Sequence, residues 1–460
     1  MITIRDSREL RNINMANAYT LNGLFYPYED KDIQHRKDVE YLLGYDVPGH
    51  GRLYGNLENN RVPLLSSPFS DHLNEVNRFL FDGGISVDVE NAEADDPRQE
   101  WIDLQIKHMC LAAKLDDLWE RGAIAGEVFA AVQLTRDSFG DLREVYDVTF
   151  FDRSEYKPVY DDFDNLIKIK VFSVYVANGK EMVLKRNYTP NFYEVWPEMT
   201  LRDAMKKELP DPEIIDHNYG RIPGVIIKNK ASIRHNRGLS EFDKGSIDMA
   251  CEIALQLCDS ASNYHFFGDP KILSPDPRVT LEEIRSRAQV WSMDAEETNG
   301  KPSYLEIQPI PSDHPKFVET LTLNVRRKLG SPMVNASGVS DGTSSLTLRM
   351  LNAATISTAE ARWETYVTEG LEPLFECMLI MAAFDGILGN VTPLDPETHS
   401  VIIRRMRPYF PKSPQERLTS VTLASELITL GLRPEVVIAE EVYDHLTPEQ
   451  VAERLEGDLL

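Results

Sequence analysis

The stretch that decides the fold is residues 238–266, which read GLSEFDKGSIDMACEIALQLCDSASNYHF. Apolar side chains recur in it at intervals of three and four, the period of an α-helix with one buried face. Ser240 followed by Asp243 is typical of a capped helix start, and a Gly-Asp-Pro sequence at 268–270 should end the helix. We therefore predict one helix over residues 241–266, about 39 Å long.

A small module and a second helix are predicted directly after this helix. Residues 271–273 and 303–310 have the composition of strands, and residues 280–291 that of a helix between them. The next helix is predicted over residues 314–329 and should end at Gly330. The pair of helices therefore encloses an inserted α/β module of fewer than fifty residues.

The segment after the second helix is polar and rich in glycine and serine. Residues 331–345 read SPMVNASGVSDGTSS, which predicts a loop. The longest helical pattern of the chain follows over residues 346–384, roughly 58 Å if unbroken. Gly370 and Pro373 should kink it, and a basic strand is predicted over residues 399–409.

Residues upstream of the first helix predict a sheet-rich region. Residues 1–100 show no sustained period, and a helix is predicted from Pro97 to Gly122. Asn178-Gly179 is a strong hairpin signal between two strands. The predicted strands cover residues 126–134, 145–151, 166–176, 180–187, 192–196 and 222–228. The strands at 166–176, 180–187 and 192–196 indicate an antiparallel meander that is half buried on one face.

Composition excludes several classes of protein. The 460 residues carry a net charge of −25, which argues against a protein that coats nucleic acid or an anionic bilayer. No run of 18 apolar residues is present, and the first ten residues lack the apolar core of a signal peptide. The four cysteines form no Cys-x-x-Cys pair and no two histidines are four residues apart. We therefore expect a reduced, cytosolic protein with no membrane span, metal or cofactor.

One motif points to enzyme chemistry. Residues 338–342, Gly-Val-Ser-Asp-Gly, match the Gly-x-Ser-x-Gly pattern in which a hydrolase serine sits on a tight turn. No buried parallel strand precedes Ser340. The alternative without catalysis is a loop whose glycines give it mobility. No phosphate-binding loop is present. A serine hydrolase and an acidic scaffold or adaptor that binds only protein remain the alternatives to the hypothesis that follows.

A second cluster is basic. Arg404, Arg405, Arg407 and Lys412 have no acidic residue near them in sequence. They could contact nucleic acid, but in a chain this acidic we expect them to pair with acidic neighbours.

The order of the elements resembles that of the portal proteins of tailed bacteriophages. Ile222-Pro-Gly-Val, Asn229 and the sequence Arg-Gly-Leu-Ser-Glu-Phe at 237–242 are similar to the strand, loop and start of a stem helix in that family. The resemblance covers most of residues 100–450 and lies in element order and length. It implies an α+β portal fold divided into an N-terminal region and wing (1–237), first stem helix (238–266), clip (267–312), second stem helix (313–330), tunnel loop (331–345), long kinked helix with a returning wing strand (346–412) and helical crown (413–460).

The resemblance also implies a function. Portal proteins form a ring, usually a dodecamer, at one capsid vertex, through which double-stranded DNA is packaged and ejected. The implied partners are other copies of the chain, DNA held transiently, the terminase large subunit, a head-tail adaptor, and the major capsid and scaffolding proteins. The implied location is the virion, with the host cytoplasm during assembly, and no catalytic activity or cofactor is implied.

We assign the site residues only from their positions within these predicted segments. We expect the loop facing the channel to include Asn335, Ser337, Gly338, Ser340, Asp341, Gly342 and Thr343. Arg326, Arg327 and Lys328 could touch phosphates, although a helix dipole and neighbouring acids explain them equally well. We expect partner binding at the clip residues Lys271, Ile272, Leu273, Tyr304, Leu305, Glu306 and Ile307.

Overall fold

The structure, a computed structural model, describes most of the predicted elements. The described residues are 30–44, 68–90, 96–136, 142–163, 165–177, 180–204, 210–231, 237–268, 271–274, 289–292, 303–304, 314–331, 350–388, 400–405, 414–429, 434, 437–438 and 451. They form a mixture of helices and largely antiparallel strands, so the α+β class is confirmed.

The helices and strands occur in groups along the chain. The helices are α1 (Asp30–Leu42), α2 (Pro68–Leu80), α3 (Pro97–Met109), α4 (Leu111–Ala125), α5 (Leu201–Ala204), α6 (Lys244–Gly268), α7 (His314–Leu329), α8 (Ala353–Trp363), a π-helical segment (Glu364–Leu371), α9 (Glu372–Phe384) and α10 (Pro414–Thr429). The strands are β1 (Ile85–Val89), β2 (Glu127–Arg136), β3 (Leu142–Asp152), β4 (Tyr156–Tyr160), β5 (Leu166–Ala177), β6 (Lys180–Tyr188), β7 (Phe192–Val195), β8 (Met199–Thr200), β9 (Glu213–Asp216), β10 (Gly224–Lys228), β11 (Lys271–Ser274), β12 (Gln289–Ser292), β13 (Ser303–Tyr304) and β14 (Val401–Arg405).

The predicted meander is confirmed as a six-stranded antiparallel sheet. Its order is β4-β5-β6-β7-β9, with β8 pairing along part of β6. Val174 lies opposite Val183 across the hairpin that the Asn178-Gly179 signal predicted. One face of the sheet packs with Phe129 into a small apolar core. The predicted strand at 222–228 belongs to another sheet, since β10 pairs with β2 in the order β10-β2-β3.

The main core joins α1 to α4, the π-helical segment, α9 and the inner ends of α6 and α7. Trp119 of α4 is its largest fully buried side chain, and its indole N–H donates to the Leu73 carbonyl over 3.0 Å. The ring of Tyr366 meets the Trp119 ring edge-on, with centroids 5.5 Å apart. The main core therefore holds the start of α6 and the end of α7.

Two predicted helices differ from the structure. The helix predicted from 97 to 122 is broken at Cys110, which has a left-handed φ of 51° and separates α3 from α4. The helix predicted to reach residue 291 is wrong at its end, because Gln289–Ser292 is a strand parallel to β11. Its β-branched and aromatic residues suit a strand next to another strand, and that partner is invisible to local periodicity. Residues 275–288 lie outside the described residues.

Residues 30–90, where the sequence shows no period, contain α1, α2 and β1. β1 pairs antiparallel with β14, which carries Arg404 and Arg405 of the basic cluster. The Arg404 guanidinium lies 3.2 Å from the Asp88 carboxylate, and Arg405 stacks over the Trp363 ring at 4.1 Å. The expected pairing with an acidic neighbour is therefore confirmed for Arg404, whereas Arg405 contacts an aromatic ring. Arg407 and Lys412 lie outside the described residues.

The long helix changes register where a kink was predicted. Residues 364–371 are π-helical, and the Glu372 N–H donates to the Val367 carbonyl, five residues back. Pro373 follows and has no N–H to donate. An α-helix would require a backbone hydrogen bond from that position, and the change of register just before Pro373 avoids this requirement. A side chain at Gly370 would lie 2.8 Å from the Ile227 side chain, so the π-helical segment packs closely on β10.

The close packing of α4 on the π-helical segment gives a first test. A Cβ at Gly122 would lie 2.1 Å from the Tyr366 hydroxyl, whose ring is fully buried. In an exposed helix, glycine to alanine stabilises by about 1 kcal/mol, but here we expect Gly122→Ala to destabilise by about 1–3 kcal/mol. Denaturant unfolding measures the difference.

Gly245→Ala is the matched control. It makes the same change in α6, where the added Cβ would lie 2.5 Å from Lys328 Nζ and 3.8 Å from an Asp243 oxygen, and the end of a lysine side chain can shift to make room. We expect it to be neutral or stabilising. Equal effects of the two substitutions would contradict the packing of Tyr366 against α4.

Candidate functional site

The candidate site is the junction at which α6 starts and α7 ends. Asp243 caps α6, because its carboxylate accepts from the Ser246 N–H over 2.8 Å. The same carboxylate lies 2.7 Å from the ammonium group of Lys328 in the last turn of α7. Although partial burial acts in the opposite direction, hydrogen bonds from Lys328 and Ser246 lower the pKa of Asp243 to about 2. Opposite charges thus join the positive end of one helix dipole to the negative end of the other.

The two helices are antiparallel. At the end away from the junction, the His314 imidazole lies 3.0 Å from the side-chain oxygen of Gln256 in α6. The predicted helix pair is therefore confirmed. The predicted capping residue is not, since α6 begins one turn later than expected: Ser240 donates instead to the Ala123 carbonyl over 2.9 Å.

A buried carboxylate, Glu241, lies beside the junction and is approached from three other elements. The Arg362 Nε atom of α8 and the Lys230 Nζ atom after β10 each lie 3.0 Å from its oxygens, and the Asn229 amide donates over 3.1 Å. The His72 Nε2 atom of α2 is 3.6 Å away. Although burial acts in the opposite direction, His72, Arg362 and Lys230 hold the pKa of Glu241 well below its usual range. The carboxylate is therefore charged at neutral pH and satisfied on all sides.

His72 extends this network to the start of the predicted loop. Its ring is fully buried, and its Nδ1 atom lies 2.9 Å from the hydroxyl of Ser331, which is also buried. The Ser331 N–H donates to the Arg326 carbonyl over 2.9 Å. Gly330 just before it has a φ of +77°, a conformation that favours glycine. The base of the 331–345 segment is thus tied to α2 and α7.

A second buried carboxylate, Glu127, holds the chain that enters α6. It accepts from the Gly238 N–H over 2.6 Å and from the Tyr156 hydroxyl over 2.8 Å, and it pairs with Arg237. A Cβ at Gly238 would lie 2.1 Å from the Gly126 carbonyl. Arg237, just before the deciding stretch, is therefore needed for charge pairing, and Gly238, its first residue, for close backbone contact.

Two of the three basic residues expected to touch phosphates have partners inside the chain. Arg326 lies 2.7 Å from the Asp71 carboxylate and Lys328 pairs with Asp243. Arg327 is exposed and forms no ion pair with the residues that the structure describes. Dipole and neighbour pairing thus account for Arg326 and Lys328, and phosphate contact stays a prediction.

The other expected site residues are described only in part. Lys271, Ile272 and Leu273 form β11, and Tyr304 of β13 lies opposite Ile272, so the structure brings these four together. The remaining expected residues lie outside the described part of the chain: Leu305, Glu306, Ile307, Asn335, Ser337, Gly338, Ser340, Asp341, Gly342 and Thr343.

Within the described ranges, no three His, Cys, Asp or Glu side chains are grouped to hold a metal ion. No helix in those ranges is both long and apolar enough to cross a bilayer. No protein-family model matches the sequence, and no curated protein is significantly similar to it.

Sequence reasoning missed the Glu241 network. Glu241 and Arg362 each lie among apolar residues at helical spacing, and a charged residue at such a position signals a buried pair. The signal does not identify the partner, because the two residues are 121 positions apart. Nothing in the sequence around His72 indicated that its side chain belongs to this network.

Glu241 gives the second test. Glu241→Gln keeps the shape but leaves Arg362 buried without its counter-charge, so we expect a loss of about 3–5 kcal/mol of unfolding free energy at pH 7. Because the folded-state pKa is depressed, this stabilisation is present above the ordinary value of 4.5. The difference between wild type and variant should therefore shrink as the pH falls below 4.5.

Glu360→Gln is the control for this change. Glu360 is exposed on α8, the helix that carries Arg362, and we expect an effect within about 0.5 kcal/mol at any pH. Urea unfolding at a series of pH values measures both variants. A Glu241→Gln effect that does not change with pH would contradict the ionised, paired state of this carboxylate.

Proposed function

We propose that this chain is the subunit of a portal ring, the channel through which double-stranded DNA enters and leaves the capsid of a tailed bacteriophage. The observation that carries the proposal is the antiparallel pair α6 and α7. The chain between their outer ends contains the small sheet β11–β13, and the chain after their inner end leads into the segment that starts at Ser331. The helix pair, the small sheet and the segment after Ser331 correspond, in this order, to the stem, clip and tunnel loop that the sequence resemblance implies.

Charge supports a conduit. Duplex DNA carries about one negative charge per ~1.7 Å, so a basic channel wall would hold it by counterion release. The chain carries a net −25, and the basic turn that precedes Ser331 is largely neutralised by Asp71 and Asp243. A ring of such subunits favours sliding of DNA over binding.

In this proposal the ring does not itself drive the movement of DNA. The terminase large subunit supplies the ATP-driven movement and docks at the clip, which a head-tail adaptor later occupies. The major capsid and scaffolding proteins hold the ring in the capsid. The virion is its final location, after assembly in the host cytoplasm, and no catalytic step or cofactor is assigned to this chain.

Ring formation is the first test of the proposed function. We expect the purified full chain, alone or with scaffolding protein, to assemble into rings of about twelve copies of the 52.4 kDa subunit. Light scattering and negative-stain images measure mass and shape. A monomer at all concentrations, with and without scaffolding protein, would overturn the proposal.

The loop assignment has a separate test. Proline at both Gly338 and Gly342 should stiffen the 331–345 segment, and we expect DNase-protected DNA in a packaging reaction to fall by about tenfold or more while rings still form. Alanine at the same two positions is the control, and it should retain more packaging than proline. Normal packaging by the proline variant would remove the tunnel-loop assignment.

A further inference from the structure

Asp385, the residue that follows α9, is exposed and has no cationic partner. Among the residues that the structure describes, no lysine, arginine or histidine nitrogen lies within 4.0 Å of its carboxylate. Its position is unfavourable, because the carboxyl end of a helix already carries partial negative charge and is stabilised by cations. The end of α9 therefore has a negative potential that no described cation neutralises.

Two tyrosine hydroxyls hold the Asp385 carboxylate in place. The Tyr146 hydroxyl of β3 donates to its Oδ2 atom over 2.5 Å, and the Tyr219 hydroxyl lies 3.1 Å from each of its oxygens. Burial raises the pKa of both tyrosines, and so do the charge of Asp385 and the hydrogen bonds to it. Both hydroxyls are therefore protonated donors at neutral pH, which orient the carboxylate without cancelling its charge.

Aromatic rings lie beside this carboxylate. The Phe384 ring meets the Tyr219 ring edge-on with centroids 6.1 Å apart, and Phe384 is 38% exposed. The His217 ring stacks on Tyr219 with centroids 4.4 Å apart, and the Tyr193 ring of β7 lies 4.4 Å from His217. These rings belong to three segments that are distant in sequence, so only the fold brings them together.

The backbone beside these side chains leaves the surface open. Gly220 and Gly386 follow Tyr219 and Asp385, and a Cβ at either glycine would meet no atom within 4 Å. Asn218, just before Tyr219, has a left-handed φ of 54°. A left-handed residue other than glycine is uncommon, and such residues cluster at functional sites. A ligand can therefore approach the carboxylate and the rings.

We propose that Asp385, Tyr219 and Phe384 form a binding site for a guanidinium group, the cationic end of an arginine side chain. We call these three residues the cation site. A guanidinium is planar, so one edge can donate two parallel hydrogen bonds to the carboxylate while its face lies against an aromatic ring. It also supplies the positive charge that stabilises the end of α9. The cation site is independent of the proposed ring.

A guanidinium fits the cation site better than a metal ion or an ammonium group does. A hard divalent metal ion prefers several oxygen ligands, and in the described ranges no three His, Cys, Asp or Glu side chains are grouped to provide them. An ammonium group is a compact, strongly hydrated charge, so it gains less from an aromatic face and cannot form the two parallel hydrogen bonds.

Isothermal titration calorimetry of the full chain at low salt tests the cation site. The probes are propylguanidinium and the blocked tripeptide acetyl-Gly-Arg-Gly-amide. We expect Asp385→Asn to weaken binding by about tenfold or more, because the charge-assisted pair is lost. Phe384→Leu should weaken it by about two- to fivefold through loss of the aromatic face. Propylammonium should bind about threefold or more weakly than propylguanidinium.

The two probes distinguish the sources of the guanidinium group. If the tripeptide binds as tightly as propylguanidinium, the site takes an arginine side chain of a protein. If only propylguanidinium binds, the site takes a small free compound that carries the same group. Either result supports the cation site.

Asp82→Asn is the matched control. Asp82 is exposed and lies just after α2, as Asp385 lies just after α9, so the substitution makes the same charge change at a helix end. We expect it to bind both probes like wild type. Circular dichroism checks the folding of each variant, and Phe384→Leu keeps the carboxylate in place if Asp385→Asn disturbs the fold. The proposal is overturned if neither probe binds wild type, if Asp385→Asn and Asp82→Asn have equal effects, or if propylammonium binds as tightly as propylguanidinium.

Discussion

The structure depends on one constraint, the need to satisfy the buried Glu241 carboxylate. A buried charge is tolerated only when it is paired and hydrogen-bonded, and here Arg362, Lys230, Asn229 and His72 meet this requirement. These residues come from parts of the chain that share no local pattern. The position of each therefore depends on the others, and the carboxylate determines where the helix pair meets the rest of the fold.

Two glycines allow a close backbone contact at the same junction. The chain enters α6 through a contact between Gly126 and Gly238 that leaves no room for a side chain. Glu127, the residue after Gly126, accepts the Gly238 N–H at that point. Close backbone approach and buried charge pairing thus occur together at Gly238 and hold the chain where it enters α6.

Local elements were largely predictable from sequence, because their causes are local. The α6 and α7 helices and the Asn178-Gly179 hairpin follow from periodicity and turn chemistry. The break at Cys110 and the strand Gln289–Ser292 were missed, since a left-handed non-glycine residue and a parallel partner strand leave no mark in the local pattern. The Glu241 network was missed for the same reason, since its members are distant in sequence.

The antiparallel helix pair has a mechanical consequence. Its 16-residue member α7 is about 24 Å long, and its inner end is fixed by Lys328 and the buried Ser331. Because His314 also joins the far end of α7 to Gln256 of α6, the two helices would tilt together, and a tilt of about 5° at the base would move that end of α7 by about 2 Å. Sub-ångström adjustments among the side chains at the pivot would therefore become visible displacements of whatever is attached to strands β11–β13.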